Sequence, residues 1–555
     1  MGTGKPWWRH WGLRVAGALL AAAAVAVGVL LRQAEPLMRA GIISAVENRF
    51  HARVELDGFS VSLMRGLEAR GTGLRIWPPA EVAGVTVPPG QGEPLVRLEE
   101  FDFRAPLEYR PGMPIHLSVV ELKGLTVHLP PRSHFEHRVD YGVDRGLLTV
   151  PIGGVSKPAM PAMVRFELDT LECTGAELVV ETSKPGKLPQ EFAIDHARVT
   201  HIAEGGAMGF EAELTNPRPL GTVRTTGSFG PWETADPGES PLNGEYRLED
   251  ADLGSFKEIG GRLNSTGNYA GTLRDLVVDG EAETKDFRLT HFGNALPLKT
   301  RFHAQVDGTN GDTLLEPVEA TLGQSHFWAR GQIVRVAEAA AAGEKPKFGH
   351  DITMAVDVDR ARIEDFLRLA GRTDTVLLTG DLKTKAKLHI PPGKAPMHER
   401  LSLEGRFALD RARFASAKVQ GRIAELSLRG QGRPDDLKTT DAGAILSALN
   451  GRFALGGGVL SLPELQYTVP GATVQLQGSY ALEGGALKFD GSARMDATVS
   501  KMVGGWKGFL LKPADRYFRK EGAGTLIRIH IDGTRDEPRF GIDFGRVKST
   551  IEVKP

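Results

Sequence analysis

Apolar and polar residues alternate along most of this chain. From Arg53 onward, Val54, Leu56, Phe59, Val61 and Leu63 sit among polar neighbours, with one phase shift near Gly58. His116 to His128 reads HLSVVELKGLTVH, two alternating stretches broken at Gly124. A period of two predicts strands with one apolar and one polar face, as in antiparallel sheets.

One pattern recurs within these strands. A glycine follows apolar or small residues four and two positions earlier and precedes another two positions later. Val223, Thr225, Gly227 and Phe229 form the first copy, and Leu276, Val278, Gly280 and Ala282 the next. Phe327, Ala329, Gly331 and Ile333 follow, then Val376, Leu378, Gly380 and Leu382. Leu401, Leu403, Gly405 and Phe407 and then Val474, Leu476, Gly478 and Tyr480 continue the series, with Leu487, Phe489, Gly491 and Ala493 a weaker copy. The first four glycines are 53, 51 and 49 residues apart; later ones are closer. Even offsets put each glycine on the apolar face. There it permits a bend or twist and leaves a gap in the stripe. Relief of crowding in an ordinary sandwich core explains the pattern equally well.

Helical spacing is scarce. Ala361 to Ala370 predicts one short helix, and Thr440 to Leu449 a second with Asp441 as its N-cap. Val499, Met502, Val503, Trp506 and Leu510 predict a third. Near the start, Leu37, Gly41, Ile42, Val46 and Phe50 predict an amphipathic helix from about Pro36 to Arg49, lying on a membrane surface or over the first strands. Val336 to Ala342 with Glu344 to Lys347 reads as a linker, and Pro88-Pro89-Gly90 and Pro391-Pro392-Gly393 as turns.

The first residues break the alternation. Lys5, Arg9, His10 and Arg14 precede an uncharged run from Val15 to Leu31, which Arg32 closes. Seventeen helical residues span roughly 26 Å, near the lower limit for a bilayer crossing, and Arg14 can snorkel to extend it. Trp7, Trp8 and Trp11 stand where an interfacial belt belongs, and the excess of positive charge before the run orients the N-terminus to the cytoplasm. A cleaved signal peptide is the competing reading, but Arg32-Gln33-Ala34-Glu35-Pro36 offers no small-x-small cleavage site. The anchor is therefore read as uncleaved, with Val15, Leu19, Leu20, Val25, Val27, Val29, Leu30 and Leu31 facing lipid.

Composition and candidate chemistry narrow the function classes. The 555 residues exceed one compact core and predict three or four domains or one long repetitive structure. Lys plus Arg total 68 and Asp plus Glu 69, so no charge excess points to nucleic acid. Sixty-seven glycines with 7% aromatics suit strands and turns better than a bundle. The one cysteine, Cys173, excludes an intrachain disulfide and a thiolate-rich metal site, and is expected to be a buried apolar residue. No phosphate-binding loop, nucleophile elbow or His-Glu-x-x-His helix occurs. His128, His134 and His137 approach metal-ligand spacing, but the prolines and arginines among them predict a basic loop. Glu99-Glu100 and Asp435-Asp436 are sequence neighbours and do not form a hydrolase pair. No enzyme, metal or cofactor is expected.

The order of these features resembles the AsmA family of bacterial envelope proteins, related to TamB and YhdP. The resemblance rests on the anchor, on RVELDGFSVSLMRGLEARGTGLRIW and VELKGLTVHLPPR, and most specifically on the C-terminal KGFLLKPADRYFRKEGAGTLIRIHIDGTRDEPRFGIDF. It implies a mainly β fold: an elongated, curved antiparallel sheet forming an open apolar groove of chorein-like type, with few short helices and one N-terminal transmembrane helix. The expected layout is a cytoplasmic segment 1–14, the anchor 15–31, an amphipathic helix 32–52, and β regions 53–205, 206–344 and 345–555. About 33 strands fit the length at about 15 residues each. The resemblance also implies an inner-membrane, single-pass protein with its bulk in the periplasm. Its role would be to bind or conduct phospholipid between inner and outer membranes, in outer-membrane homeostasis. Partners would be the membrane, phospholipid and envelope proteins of either membrane. The candidate groove lining is Val223, Phe229, Val278, Phe327, Ile333, Val376, Leu378, Leu401, Leu403, Phe407, Val474, Leu476 and Tyr480. The alternative is an envelope assembly factor that assists outer-membrane protein biogenesis through exposed sheet edges, without lipid conduction. Without a nucleotide site, lipid flow would need a gradient or a partner.

Overall fold

The computed structural model describes most of residues 35–549. Outside it lie 1–34, 130–165, 338–347, 504–523 and 550–555, with shorter stretches that include 63–66, 78–80, 87–92, 106–114, 182–188 and 371–375. Described strands join in one 25-stranded sheet that follows chain order, with a separate two-stranded ribbon of Glu81–Val82 and Val85–Thr86. The first strand, Arg53–Ser62, pairs only with Leu67–Trp77, and the last, Lys548–Ser549, only with Pro538–Asp543. The sheet is therefore open. The two-residue strand Ile259–Gly260 shares one side of Asp275–Leu289 with Arg262–Thr272, so 24 strands follow one another across the sheet, and at about 4.8 Å per strand their 23 steps reach about 110 Å before twist shortens the path. Among the described residues that is fewer strands than 15-residue spacing suggested, and the long strands hold up to 15 residues without their turns.

Antiparallel pairing runs through the sheet with one exception. Ile115–Leu129 pairs in parallel with Phe166–Val180. A parallel pair needs a crossover of a dozen residues or more, and the chain between them, 130–165, is long enough. Alternation of apolar and polar residues does not encode strand direction, so this pair was illegible in the pattern. Pairing also continues across both expected region boundaries: Gln190–Ile202 joins Met208–Pro217, and Ser325–Ala337 joins Phe348–Arg362.

Register brings the apolar residues of successive strands together on one face. Leu214, Val223, Leu248 and Ser265 lie opposite one another in turn, as do Leu388, Leu403 and Leu455. The phase shift near Gly58 keeps Leu56 and Phe59 both buried on that face. The other face is charged, and sign alternates between neighbours. Asp279, Glu281 and Glu283 on Asp275–Leu289 face His303, Arg301 and Lys299 on Leu296–Val306. Arg301 also meets Glu319 at 3.7 Å, and Lys385 meets Asp357 at 2.7 Å. Such exposed pairs each contribute about 0.2–1 kcal/mol. Their larger effect is on register, since a one-residue slip would bring apolar rows to the wrong face.

Four strands carry a bulge at equivalent places near one long edge. Register shifts fall between Leu248 and Ala251, Thr284 and Phe287, Val358 and Ala361, and Leu409 and Ala412. Asp250 and Arg411 adopt φ of 53° and 52° there. Each shift turns two polar residues outward and then seats Ala251, Phe287, Ala361 or Ala412 back on the apolar side.

Helices cover parts of the apolar face. Residues 38–47 are helical, with Met38 buried against Val54, Leu56, Phe59, Leu74, Ile76, Leu98 and Phe101. Of the two readings of this helix, cover over the first strands is the one observed. Ile363–Ala370 packs on Val358, Ala361, Leu382, Leu409 and Ala412. The sequence placed this helix from Ala361, but Ala361 and Arg362 still belong to the strand. Ala417–Gly430, which the pattern did not show, lies on Val469, Ala472, Val474, Ala493 and Met495. Its N-cap is Ser416, and glutamine and serine at buried positions (Gln420 and Ser427) interrupt its apolar stripe. The helix expected over Thr440 to Leu449 is instead a short 3-10 turn, Ala442–Ala444, followed by the strand Ser447–Gly456. Asp441 does cap it, accepting from the Gly443 N–H at 3.0 Å. Val499–Val503 is helical; Trp506 and Leu510 lie outside the described residues. Val336 and Ala337, expected in a linker, complete a strand and pair with Gly349 and Phe348.

Candidate functional site

The helical covers leave a stretch of apolar face open. From Gln190–Ile202 to Ser325–Ala337, only 3-10 turns, Pro237–Glu239 and Leu253–Phe256, stand among the described residues besides strands, and Ile363–Ala370 reaches back over the Phe327 end of the last strand. Two rows cross these strands in register. One runs Ala212, Thr225, Tyr246, Gly267, Gly280, Phe302, Val318, Ala329. The other runs Phe210, Gly227, Gly244, Tyr269, Val278, Ala304. Glycine and aromatic residues are thus direct cross-strand partners.

The rings lie over the glycines. A Cβ on Gly267 would stand 2.8 Å from the Tyr246 ring, and one on Gly280 would stand 2.7 Å from Phe302 Cζ. A Cβ on Gly244 would meet the Tyr269 hydroxyl at 2.7 Å. Further along, Gly405 underlies Phe453 and Gly478 underlies Phe489 at 3.0 and 2.5 Å. The gap that the sequence showed in the apolar stripe is filled from the neighbouring strand. The result is a smooth aromatic floor one side chain deep.

Polar groups on this floor are satisfied. The Tyr246 hydroxyl bonds to Ser265 Oγ at 3.0 Å and Tyr269 to Thr225 Oγ1 at 2.6 Å. Tyr467 bonds likewise to Ser447 at 2.8 Å. Burial pushes all three phenols above their ordinary pKa, so they stay neutral. Apolar contact is what the floor offers a ligand.

The residues picked from sequence divide into three groups. Val223, Phe229, Val278 and Ile333 lie half-buried on the open stretch. Phe327 packs against Phe366 with the rings tilted 55° and centroids 6.1 Å apart, and Leu378 and Phe407 pack in the same helix-covered cluster. Val474 is buried under Ala417–Gly430 and Leu476 packs beside it. Leu403 and Tyr480 are half-buried strand residues away from those clusters. Val376 and Leu401 stand just outside the strands Leu378–Ile390 and Ser402–Phe414. The anchor residues Val15 to Leu31 lie outside the described residues, among which no helix is long and apolar enough to cross a membrane.

Sequence reasoning missed Phe210, Tyr246, Tyr269 and Phe302, because their place beside the glycines depends on register. It also missed the bulges, although Asp359-Arg360-Ala361-Arg362 and Asp410-Arg411-Ala412-Arg413 repeat openly. His128 is the penultimate residue of the strand Ile115–Leu129, while His134 and His137 lie outside the described residues; no metal-holding group occurs among those described. Cys173 is buried, and desolvation pushes its thiol up to about 11.

The charged face carries concavities of its own. A concavity of about 820 Å³ is bordered by Arg224, Arg247, Arg301, Glu213 and Glu281, and one of about 480 Å³ by Trp328, Asp357, Lys385 and Arg406. In the first, Arg224 is held by Glu213 at 2.9 Å and by Glu249, and Arg301 by Glu281 at 2.8 Å.

Comparison of the chain with protein-family models, with curated proteins and with solved structures gives no match in any of the three.

Proposed function

We propose that the open stretch of apolar face holds lipid acyl chains, and that the chain is an inner-membrane-anchored periplasmic protein that binds or conducts phospholipid between the two membranes of an envelope. The observation that carries this reading is a single-layer sheet with one apolar face that the described residues leave uncovered across about eight strands, floored by rings on glycines. A soluble sheet ordinarily buries such a face. A chain of about 16 carbons leaving a bilayer exposes on the order of 12 kcal/mol of apolar surface, and contact with this floor offsets part of it. The charged outer face keeps the assembly soluble. The anchor and the resemblance to the AsmA family supply the envelope setting. The reading involves no catalysis, and direction of flow comes from a gradient or a partner.

Lipid analysis of the protein extracted from cells tests it. Phospholipid is expected to co-purify in defined stoichiometry, and a deletion strain is expected to shift lipid balance between membranes. Lipid-free protein together with an unchanged balance overturns the proposal and leaves the assembly-factor reading.

A further inference from the structure

We infer that the hollow around Trp328, on the charged face, is a binding site for a sugar ring carrying an anionic substituent. It lies opposite the apolar floor and stands whether or not that floor carries lipid.

Trp328 breaks the rule of its face. Phe327 and Ala329 point to the apolar side, so Trp328 points to the charged one, where it is 47% exposed. Its register partners are Glu319 and Asp357, and the row continues through Lys385 to Arg406. Trp328 and Arg406 are three strand spacings apart, about 14 Å. Between them lies a volume of about 480 Å³ with the small side chain of Ala408 in its lining. The bulge after Val358 adds Asp359 to the wall.

The charges there are only partly paired. Lys385 and Asp357 pair at 2.7 Å. The side chains of Asp359, Lys383 and Arg406 make no ion pair or side-chain hydrogen bond among the described residues. Pairing varies over this face: Arg224, Arg301, Lys299 and Arg452 have carboxylate partners, and Arg330 and Lys387 have no ion pair among the described residues. Free donors and acceptors beside an exposed indole suit a ligand with one apolar and one polar side. The C–H face of a pyranose stacks on the indole, and its hydroxyls reach the charged groups. One carboxylate against two cations leaves a positive excess, which favours a carboxylate or phosphate on the sugar. An acyl chain would desolvate these charges without return.

Saturation-transfer NMR on the full chain tests this, with glucuronic acid as probe and glucose and inorganic phosphate as controls. Transfer is expected to be strongest at ring C–H protons of glucuronic acid and weaker with glucose. Trp328→Ala is expected to weaken glucuronic acid binding at least tenfold, and Arg406→Gln to abolish the preference over glucose. Ala408→Glu, which fills the hollow without touching the ring, is expected to block binding with unchanged circular dichroism, and so covers the case in which Trp328→Ala fails to fold. Absence of transfer to either sugar, binding unaffected by Ala408→Glu, or competition by phosphate as strong as that by the sugar would overturn the inference.

Discussion

At Gly280 a hydrogen is all that fits. The Phe302 ring and the Tyr246 hydroxyl stand 2.7 and 2.8 Å from where a Cβ would be, and the Thr266 carbonyl 3.1 Å away. Gly280→Ala is therefore expected to lower the thermal unfolding midpoint through overpacking of about 1–3 kcal/mol. Gly421→Ala provides the contrast: nothing lies within 4 Å of the new methyl in the helix Ala417–Gly430. It is expected to raise the midpoint, by about 0.5–1 kcal/mol. Equal effects at both positions would contradict the ring-on-glycine account. Charge pairing makes a second residue-scale prediction. The hydrogen bond to Asp490, then the Asp490 and Asp532 charges, raise the pKa of His530 above its ordinary 6.5. Its stabilising contribution is therefore full below the unfolded pKa and is lost as pH rises through the folded one. Because the side chain is largely exposed, NMR titration of the imidazole is the suitable measurement. Asp490→Asn is expected to bring the midpoint back toward 6.5, and an unmoved midpoint would refute the pairing. The recurring glycine was legible from sequence; the ring that covers it was not, because a cross-strand partner is set by register rather than by neighbours in the chain.

At the scale of elements, each cover is fixed to the sheet by a few buried groups. Asp365, in the first turn of Ile363–Ala370, accepts from the Gln324 N–H at 3.0 Å and the Ser325 hydroxyl at 2.7 Å. Ser325 in turn accepts from the Arg362 N–H at 2.9 Å, which ties the helix to the turn opposite the bulge. Asp365→Ala is expected to cost about 1–3 kcal/mol, because buried donors lose their acceptor. Hydrogen exchange should show faster exchange in 363–370 while the strands Met208–Phe229 stay protected; uniform acceleration would mean that the cover is not a separate unit. The short helix was readable because its apolar residues keep helical spacing. Ala417–Gly430 was hidden because Gln420 and Ser427 are buried for their hydrogen bonds, to the Ile445 and Pro470 carbonyls, at positions that a hydrophobic pattern expects to be apolar. The turn at Ala442–Ala444 shows the reverse error: an N-cap and apolar residues were present, but the strand partner of Ser447–Gly456 outweighed a helix.

For the whole molecule, alternation plus turn residues was enough to indicate a mainly β chain with one apolar face, because period two survives any strand order. Which part of that face stays open was not legible, since it depends on where the covers land. Among the described residues, the structure closes the face over the first strands with residues 38–47 and leaves the middle open. Phe327 and Leu476, attractive groove residues by sequence, are core packing, whereas Val278 and Phe302 border open space. The lipid retention we propose would therefore fall to the middle strands. The most direct measurement is native mass spectrometry of the full chain, extracted in detergent, beside Val278→Asp and Phe302→Asp, with circular dichroism confirming the sheet. Bound phospholipid in the natural protein and its loss in both folded variants is the predicted result. Phospholipid retained at the same stoichiometry in both folded variants would contradict the account.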